Sequence, residues 1–170
     1  MHAKYIIISL ILLFVGTLSH AQKIVIGNYK FKKEKGEYYG EIVSGKPNGK
    51  GKTVFKNGDT YEGEYVKGKR QGKGLYLFAD GEKYDGDWFD DCQHGNGTFY
   101  FSNNNKYEGL WYADYQEGAG TMFYYNGDKY VGNWHLDLRE GEGTYTWANG
   151  VFYKGEWKAD KKCGMGLFDW

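Results

Sequence analysis

Beyond the first 21 residues the chain holds few groups of the kind that carry out reactions. Two histidines, His94 and His135, could share a metal or move protons. Two serines, Ser44 and Ser102, and two cysteines, Cys92 and Cys163, are the available hydroxyl and thiol nucleophiles. Neither serine lies in the Gly-x-Ser-x-Gly setting of a nucleophile elbow, and neither has a histidine nearby in sequence. Carboxylates recur two residues apart, at Glu62 and Glu64, at Asp85 and Asp87, and again at Glu108. Paired acids of this kind do acid–base work or bind Ca²⁺. Gly-x-Gly recurs six times, which superficially resembles a phosphate loop. Tryptophans stand at 88, 111, 134 and 157, a series able to line a groove for a peptide, a glycan or a lipid head group.

The spacing of the tryptophans is the clue to what positions all these residues. Tyrosines stand at 38, 61, 84, 107, 130 and 153, and every interval is 23. With each tyrosine as position 1, position 3 is Gly in all six units. Position 5 reads Ile42, Tyr65, Trp88, Trp111, Trp134 and Trp157. Positions 12 and 14 are Gly throughout, and positions 20 and 21 read Asn/Asp-Gly except at Asn103-Asn104. With Gly45 and Gly68 at position 8, this framework absorbs 24 of the 27 glycines, so the glycine content reflects a repeat and not linkers. Five units are complete and a sixth runs to Trp170, so the array occupies 38–170. Residues 22–37, with Gly27-Asn28-Tyr29-Lys30-Phe31, read as a degenerate half-repeat, with one extra residue before Tyr38.

Each unit alternates with period two in Tyr-x-Gly-x-Trp and again in Gly-x-x-x-aromatic, the mark of half-buried strands. A loop ending in Gly-x-Gly separates the two stretches, and Asn/Asp-Gly follows them. The expected fold is all-β: an elongated, single-layer antiparallel meander of 23-residue β-hairpin repeats. A three-residue turn at positions 19–21, closed by Gly in a bulge, is favoured over a two-residue turn. It places the aromatics of positions 1, 5, 16 and 18 on one face. It also sets Lys50 against Glu64, Lys52 against Glu62 and Lys73 against Asp87 on the other. Rings can lie over the bare glycines of positions 3 and 14. Each unit advances about 10 Å, two strand spacings, so six units span about 55–60 Å.

Placed on this ribbon, most of the reactive groups disperse. His94 and His135 fall about 20 Å apart, and Cys92 and Cys163 about 25–30 Å apart. The latter gap is beyond the ~7 Å reach of a disulfide. The carboxylate pairs lie on an open, lysine-faced surface where solvation and cross-strand pairing account for them. No helix follows any Gly-x-Gly to supply an anion-binding N-terminus. No catalytic constellation, metal site or cofactor is implied. The candidate binding face is Tyr65, Trp88, Trp111, Trp134 and Trp157, whose rings must also hold the ribbon together. A second candidate is the apolar stripe at position 17, Val54, Leu77, Tyr100 and Phe123, alternatively scattered surface apolars. A third is a basic patch of Lys46, Lys50, Lys52, Lys67, Lys69, Arg70 and Lys73. Residues 22–83 hold 14 basic and 8 acidic residues, whereas 84–170 hold 7 and 14. That polarity could orient a partner or a second copy, or reflect uneven drift between units. Formal net charge over the whole chain is zero, against a nucleic-acid partner. An uncovered edge strand ending at Trp170 would invite pairing with another chain.

Tyr-x-Gly-x-Trp-x-x-Gly/Asp-x-x-x-Gly-x-Gly-x-aromatic-x-aromatic-x-Asn/Asp-Gly at a 23-residue period resembles the MORN repeat (membrane occupation and recognition nexus). Tyr61 to Lys83 carry the likeness most closely. Departures are Ile42 at position 5, Asp91, Asp114, Asp137 and Asp160 at position 8, and Asn104 in the turn. Asp and Asn tolerate the left-handed backbone those turns need. The resemblance implies a scaffold, dimerisation or targeting module. We therefore expect a non-catalytic repeat protein that binds a protein partner or itself. The alternative is peripheral attachment to an anionic membrane surface through the basic end. Enzymatic activity is the reading of another class, and the array leaves no room for a catalytic domain.

Residues 1–21 read as a secretory signal. Lys4 precedes an apolar run from Tyr5 to Leu18, and Ser19-His20-Ala21 offers small residues for cleavage before Gln22. The expected location is exported, periplasmic or secreted, of bacterial type, with an N-terminal membrane anchor as the alternative.

Overall fold

Each repeat lays down two strands, and every strand pairs with its neighbours in sequence. The computed structural model describes residues 25–30 and 35–170, the former by backbone only. The strands are β1 (Val25–Lys30), β2 (Lys35–Val43), β3 (Lys46–Phe55), β4 (Thr60–Val66), β5 (Lys69–Leu77), β6 (Lys83–Phe89) and β7 (Cys92–Tyr100). They continue as β8 (Lys106–Tyr112), β9 (Tyr115–Phe123), β10 (Lys129–His135), β11 (Leu138–Thr146), β12 (Phe152–Lys158) and β13 (Lys161–Asp169). Together they make one antiparallel 13-stranded sheet whose spatial order is the sequence order. The all-β single-layer meander expected from the repeat is the fold observed. The segment read as a signal, 1–21, lies outside the described residues, as does the connection at 31–34 where an unusual turn is expected. β1 pairs with β2 and sets Gly27 opposite Tyr38.

Two turns alternate along the ribbon. The first is the three-residue turn expected at positions 19–21. Thr53 pairs with Tyr61, and Phe55 N–H donates to the Asp59 carbonyl at 2.9 Å. Gly58 closes the turn at φ +96°, a conformation open to glycine because it has no Cβ. The charge register follows: Lys50 faces Glu64, Lys52 faces Glu62 and Lys73 faces Asp87.

The second turn corrects the expectation of a loop between positions 5 and 14. The chain reverses in two residues, positions 7 and 8, both with positive φ: Lys67-Gly68, Asp90-Asp91, Ala113-Asp114, Leu136-Asp137 and Ala159-Asp160. This backbone matches strand twist in the manner of a type I′ hairpin. The second strand therefore starts at position 9 and carries a bulge, where register shifts opposite positions 3 to 5. The position-12 glycine supplies the left-handed residue of that bulge, as at Gly72 with φ +71°. What reads as loop glycine in the sequence is bulge glycine inside a strand.

The bulge also gives the first tyrosine its role. Tyr107 is fully buried and lies over Gly109 and Gly120; a Cβ on Gly120 would come within 2.2 Å of its hydroxyl. That hydroxyl donates to the Leu110 carbonyl at 3.0 Å, next to the shifted register. The same bond recurs from Tyr61 to Glu64, Tyr84 to Asp87 and Tyr130 to Asn133. The core is this column of rings, with position-5 rings between successive tyrosines. Trp111 meets Tyr84 and Tyr107 edge-on, with both ring centroids 5.3 Å away. Such geometry aligns the positive ring edge with a negative ring face.

Candidate functional site

The aromatic face carries one more column, at position 10: Pro47, Arg70, Gln93, Gln116, Arg139 and Lys162. Sequence reasoning passed over it. The first five of these residues, Pro47 to Arg139, each lie beside the hairpin turn of the following repeat, and the backbone joins them. Asp91 N–H donates to the Arg70 carbonyl at 3.2 Å, and Arg70 N–H donates to the Asp91 carboxylate at 2.8 Å. Asp114 accepts from Gln93, Asp137 from Gln116 and Asp160 from Arg139 in the same way. The aspartates that depart from glycine at position 8 are thus clasps between repeats. Where position 10 is Pro47 it has no N–H to give, and the facing residue is Gly68, which has no carboxylate.

The side chains at position 10 divide the face into zones. Arg70 stacks over Trp88 at 4.3 Å, and its guanidinium donates to the Asp91 carbonyl at 2.7 Å and approaches the Asp91 carboxylate at 3.4 Å. Sixty-nine residues on, Arg139 repeats the arrangement. It lies 4.3 Å over Trp157, 3.0 Å from the Asp160 carbonyl and 2.8 Å from its carboxylate. Asp59 and Asp128 recur at the same interval. Each is a buried carboxylate held by a tyrosine hydroxyl at 2.6 Å, from Tyr76 and Tyr145 respectively. Burial pushes the Asp59 carboxyl up, but donation from Tyr76, Ala79 and Asn57 outweighs it and the net shift is downward. Asp128 is also held below the usual range, first by Tyr145.

Between these two arginine zones, a groove of about 450 Å³ opens over the middle repeats. Phe99, Phe101, Trp111, Met122, Tyr124 and Trp134 form its apolar lining. Gln93, Gln116, Asp114 and Asp137 supply polar groups, and Arg139 and Asp160 close one end. The glutamines are 7% and 5% exposed. Their side-chain amides make no hydrogen bond within the described residues. Asp114 and Asp137 are exposed, and among the described residues no basic side chain pairs with either. Trp88, Trp111 and Trp157 donate their indole N–H to a glycine carbonyl of the preceding repeat, whereas the buried Trp134 Nε1 has no partner among the described residues.

The residues singled out by sequence separate onto different surfaces. Tyr65, Trp88, Trp111, Trp134 and Trp157 do share one face, but their rings are buried between tyrosines, and the groove wall is completed by positions 16 and 18. Val54, Leu77 and Tyr100 are exposed on the opposite face and Phe123 is half-buried there. Lys83 and Lys106 cap the rings of Tyr100 and Phe123 at 3.9 and 4.4 Å. Of the basic patch, Lys50, Lys52 and Lys73 line one concavity on the face opposite the rings. Arg70 belongs to the aromatic face, while Lys69 pairs with Asp90, Lys52 with Glu62 at 3.8 Å and Lys73 with Asp87 at 2.6 Å. Lys46, Lys50 and Lys67 are exposed. Sequence reasoning missed an aromatic cluster at the hairpin tips of the polar face, where His94 lies 5.5 Å from Phe89 and 5.1 Å from Tyr112. His135 is hydrogen-bonded to Glu117 at 3.1 Å, a contact that raises its pKa. Cys92 on β7 and Cys163 on β13 stand six strands apart and are not bonded to each other. Among the described residues no group of three His, Cys, Asp or Glu is placed to hold a metal.

Comparison with known proteins agrees with this architecture. The MORN repeat family matches at residues 38–60, 61–83, 84–106, 107–129, 130–152 and 153–170. No curated protein matches the chain. Among solved structures, the chain is similar to the SAS-4 (dCPAP) TCP domain, solved in complex with a proline-rich motif of Ana2 (dSTIL) of Drosophila melanogaster. Identity is 12%, the TM-score is 0.45, and the match covers 85% of this chain and 86% of that one. Six successive matches, in the register set by the buried tyrosines, place the chain in the MORN repeat family.

Proposed function

We propose that the chain is a non-catalytic interaction module that binds a protein partner along its aromatic face. The observation that supports this reading most directly is the central groove. Apolar walls with a few polar groups that lack partners are the composition of a recognition site. Reactive groups are not gathered there: His94, His135, Ser44, Ser102 and both cysteines are absent from its lining. Burial of Phe101 and Tyr124, half-exposed at the rim, would add apolar contact on binding.

The test uses the chain from Gln22, immobilised, to capture proteins from the envelope of the producing cell. Sedimentation of the free chain reads self-association. Phe101→Asn with Tyr124→Asn is expected to abolish capture. Phe89→Ser with Tyr112→Ser, on the opposite face, is expected to leave it intact. A chain that stays monomeric and retains nothing sinks the reading. The second reading, attachment to anionic membrane, draws support from Lys46, Lys50 and Lys67, which form no ion pair within the described residues. Salt-sensitive flotation with anionic but not neutral vesicles would favour it. Export, with cleavage before Gln22, remains part of this proposal and is tested by N-terminal sequencing of the protein from its producing cell.

A further inference from the structure

The groove is built from the same parts as the two arginine zones beside it, with one part changed. In those zones an aspartate at position 8 and an indole at position 5 hold a guanidinium supplied by the preceding repeat. Arg70 does so between Trp88 and Asp91, and Arg139 between Trp157 and Asp160. In the two middle repeats Trp111 with Asp114, and Trp134 with Asp137, are retained, but the preceding repeat supplies Gln93 and Gln116. Glutamine is shorter and carries no charge. The indoles stay buried, with Trp111 6% and Trp134 5% exposed, but glutamine brings no positive charge to the carboxylate. Each middle repeat thus presents an exposed carboxylate without a cation. Beside it lies a glutamine more than nine-tenths buried, whose amide makes no hydrogen bond among the described residues and keeps contact with solvent, and both line one open groove.

We propose that this groove takes two cationic side chains, arginine or lysine, from an extended basic segment of a partner protein. The inference rests on the interaction reading above and names the chemistry of the partner. The two sites lie one repeat apart, about 10 Å, which matches basic residues three apart in an extended chain of polyproline-II form, whose three residues per turn bring both side chains to the same side. Each incoming guanidinium would donate to an aspartate carboxylate and to the glutamine amide oxygen, in the charge-assisted geometry that arginine favours. Its aliphatic stem would lie on Phe99, Phe101, Met122 and Tyr124, where burial of CH₂ groups is favourable. Arg139 at one end, already paired with Asp160, would disfavour a third cation there.

The probe is a capped peptide containing Arg-Ala-Ala-Arg, compared with its citrulline counterpart, which keeps the shape and loses the charge. Binding is followed by NMR of the side-chain amides of Gln93 and Gln116 and the indole N–H groups of Trp111 and Trp134. The arginine peptide should perturb these four groups, and the citrulline peptide should not. Asp114→Asn with Asp137→Asn keeps the acceptor for the Gln93 and Gln116 N–H groups and tolerates the turn backbone. It should weaken binding about tenfold. Gln93→Arg with Gln116→Arg should fill both sites from within, leave the protein folded with unchanged or higher Tm, and remove binding. Equal binding of the citrulline peptide overturns the proposal, as does undiminished binding to the arginine-filled variant, or no perturbation at about 10 mM peptide. A cellular partner captured equally by wild type and by the double asparagine variant removes the cation sites while the interaction module stands. Peptide binding with no captured partner does the reverse.

Discussion

At the scale of single residues, the repeat is governed by the contact between a tyrosine and two glycines. The first tyrosine is buried because its ring replaces the side chains that positions 3 and 14 lack. Gly120→Ala brings a Cβ to 2.2 Å from the Tyr107 hydroxyl, against the most buried ring of its repeat. We expect a loss of about 1–3 kcal/mol, the usual cost of overpacking, read as a lower midpoint in urea unfolding. Gly150→Asn is the contrasting change. That glycine has φ +90°, but a Cβ placed on it would meet nothing within 4 Å, so only turn strain opposes the side chain. Its midpoint should move much less. A midpoint for Gly120→Ala equal to that of wild type would falsify the ring-on-glycine account.

Between elements, carboxylates hold successive hairpins together where the ladder itself stops. Asp114 accepts the Gln93 N–H at 2.7 Å across the gap between repeats. Asp114→Ala removes that acceptor and should cost about 1–3 kcal/mol, the penalty for stranding a donor. Asp114→Asn should recover most of it, and hydrogen exchange at the Gln93 amide measures the difference directly. A second clasp joins turn to strand through Asp128, which receives the Tyr145 hydroxyl at 2.6 Å and the Ala148 N–H at 2.9 Å. Its folded pKa is depressed, chiefly by Tyr145. The stabilisation is therefore complete above the unfolded value of about 3.9 and lost as pH falls through the folded one. Tm should drop as the solution is acidified below about pH 4, and the drop should be shallower in Asp128→Asn.

For the whole molecule, stability is a chain of neighbour contacts, since each strand pairs only with the next. Burial raises the pKa of the column tyrosines Tyr61, Tyr84 and Tyr107, and lifts Tyr130 to about 12 against the opposing charge of Arg139. Above the ordinary tyrosine value of about 10 the unfolded chain releases protons that the folded one retains, so stability falls with rising pH. The expected result is alkaline unfolding in which tyrosinate absorbance and loss of β circular dichroism coincide. Buried-column tyrosinate that appears near pH 10, well before the sheet melts, would contradict this account.

The 23-residue period determined the sheet order, the shared aromatic face, the three-residue turn and the facing charges at Lys52–Glu62 and Lys73–Asp87. All of these follow from local alternation and from which residues must point the same way. The two-residue turn at positions 7 and 8 was not legible, because Ala113-Asp114 and Leu136-Asp137 lack the glycine that usually announces it. Its aspartates make sense only against the N–H of another repeat, a contact 21 residues away. The basic patch divides in three dimensions, since strand parity sends Arg70 to the aromatic face and leaves Lys73 with Lys50 and Lys52 on the other. The groove depended on tertiary structure most of all. Gln93 and Gln116 are ordinary polar letters in the sequence, and only the packing of one repeat against the next buries them beside an aspartate and an indole, where Arg70 and Arg139 stand in the flanking repeats.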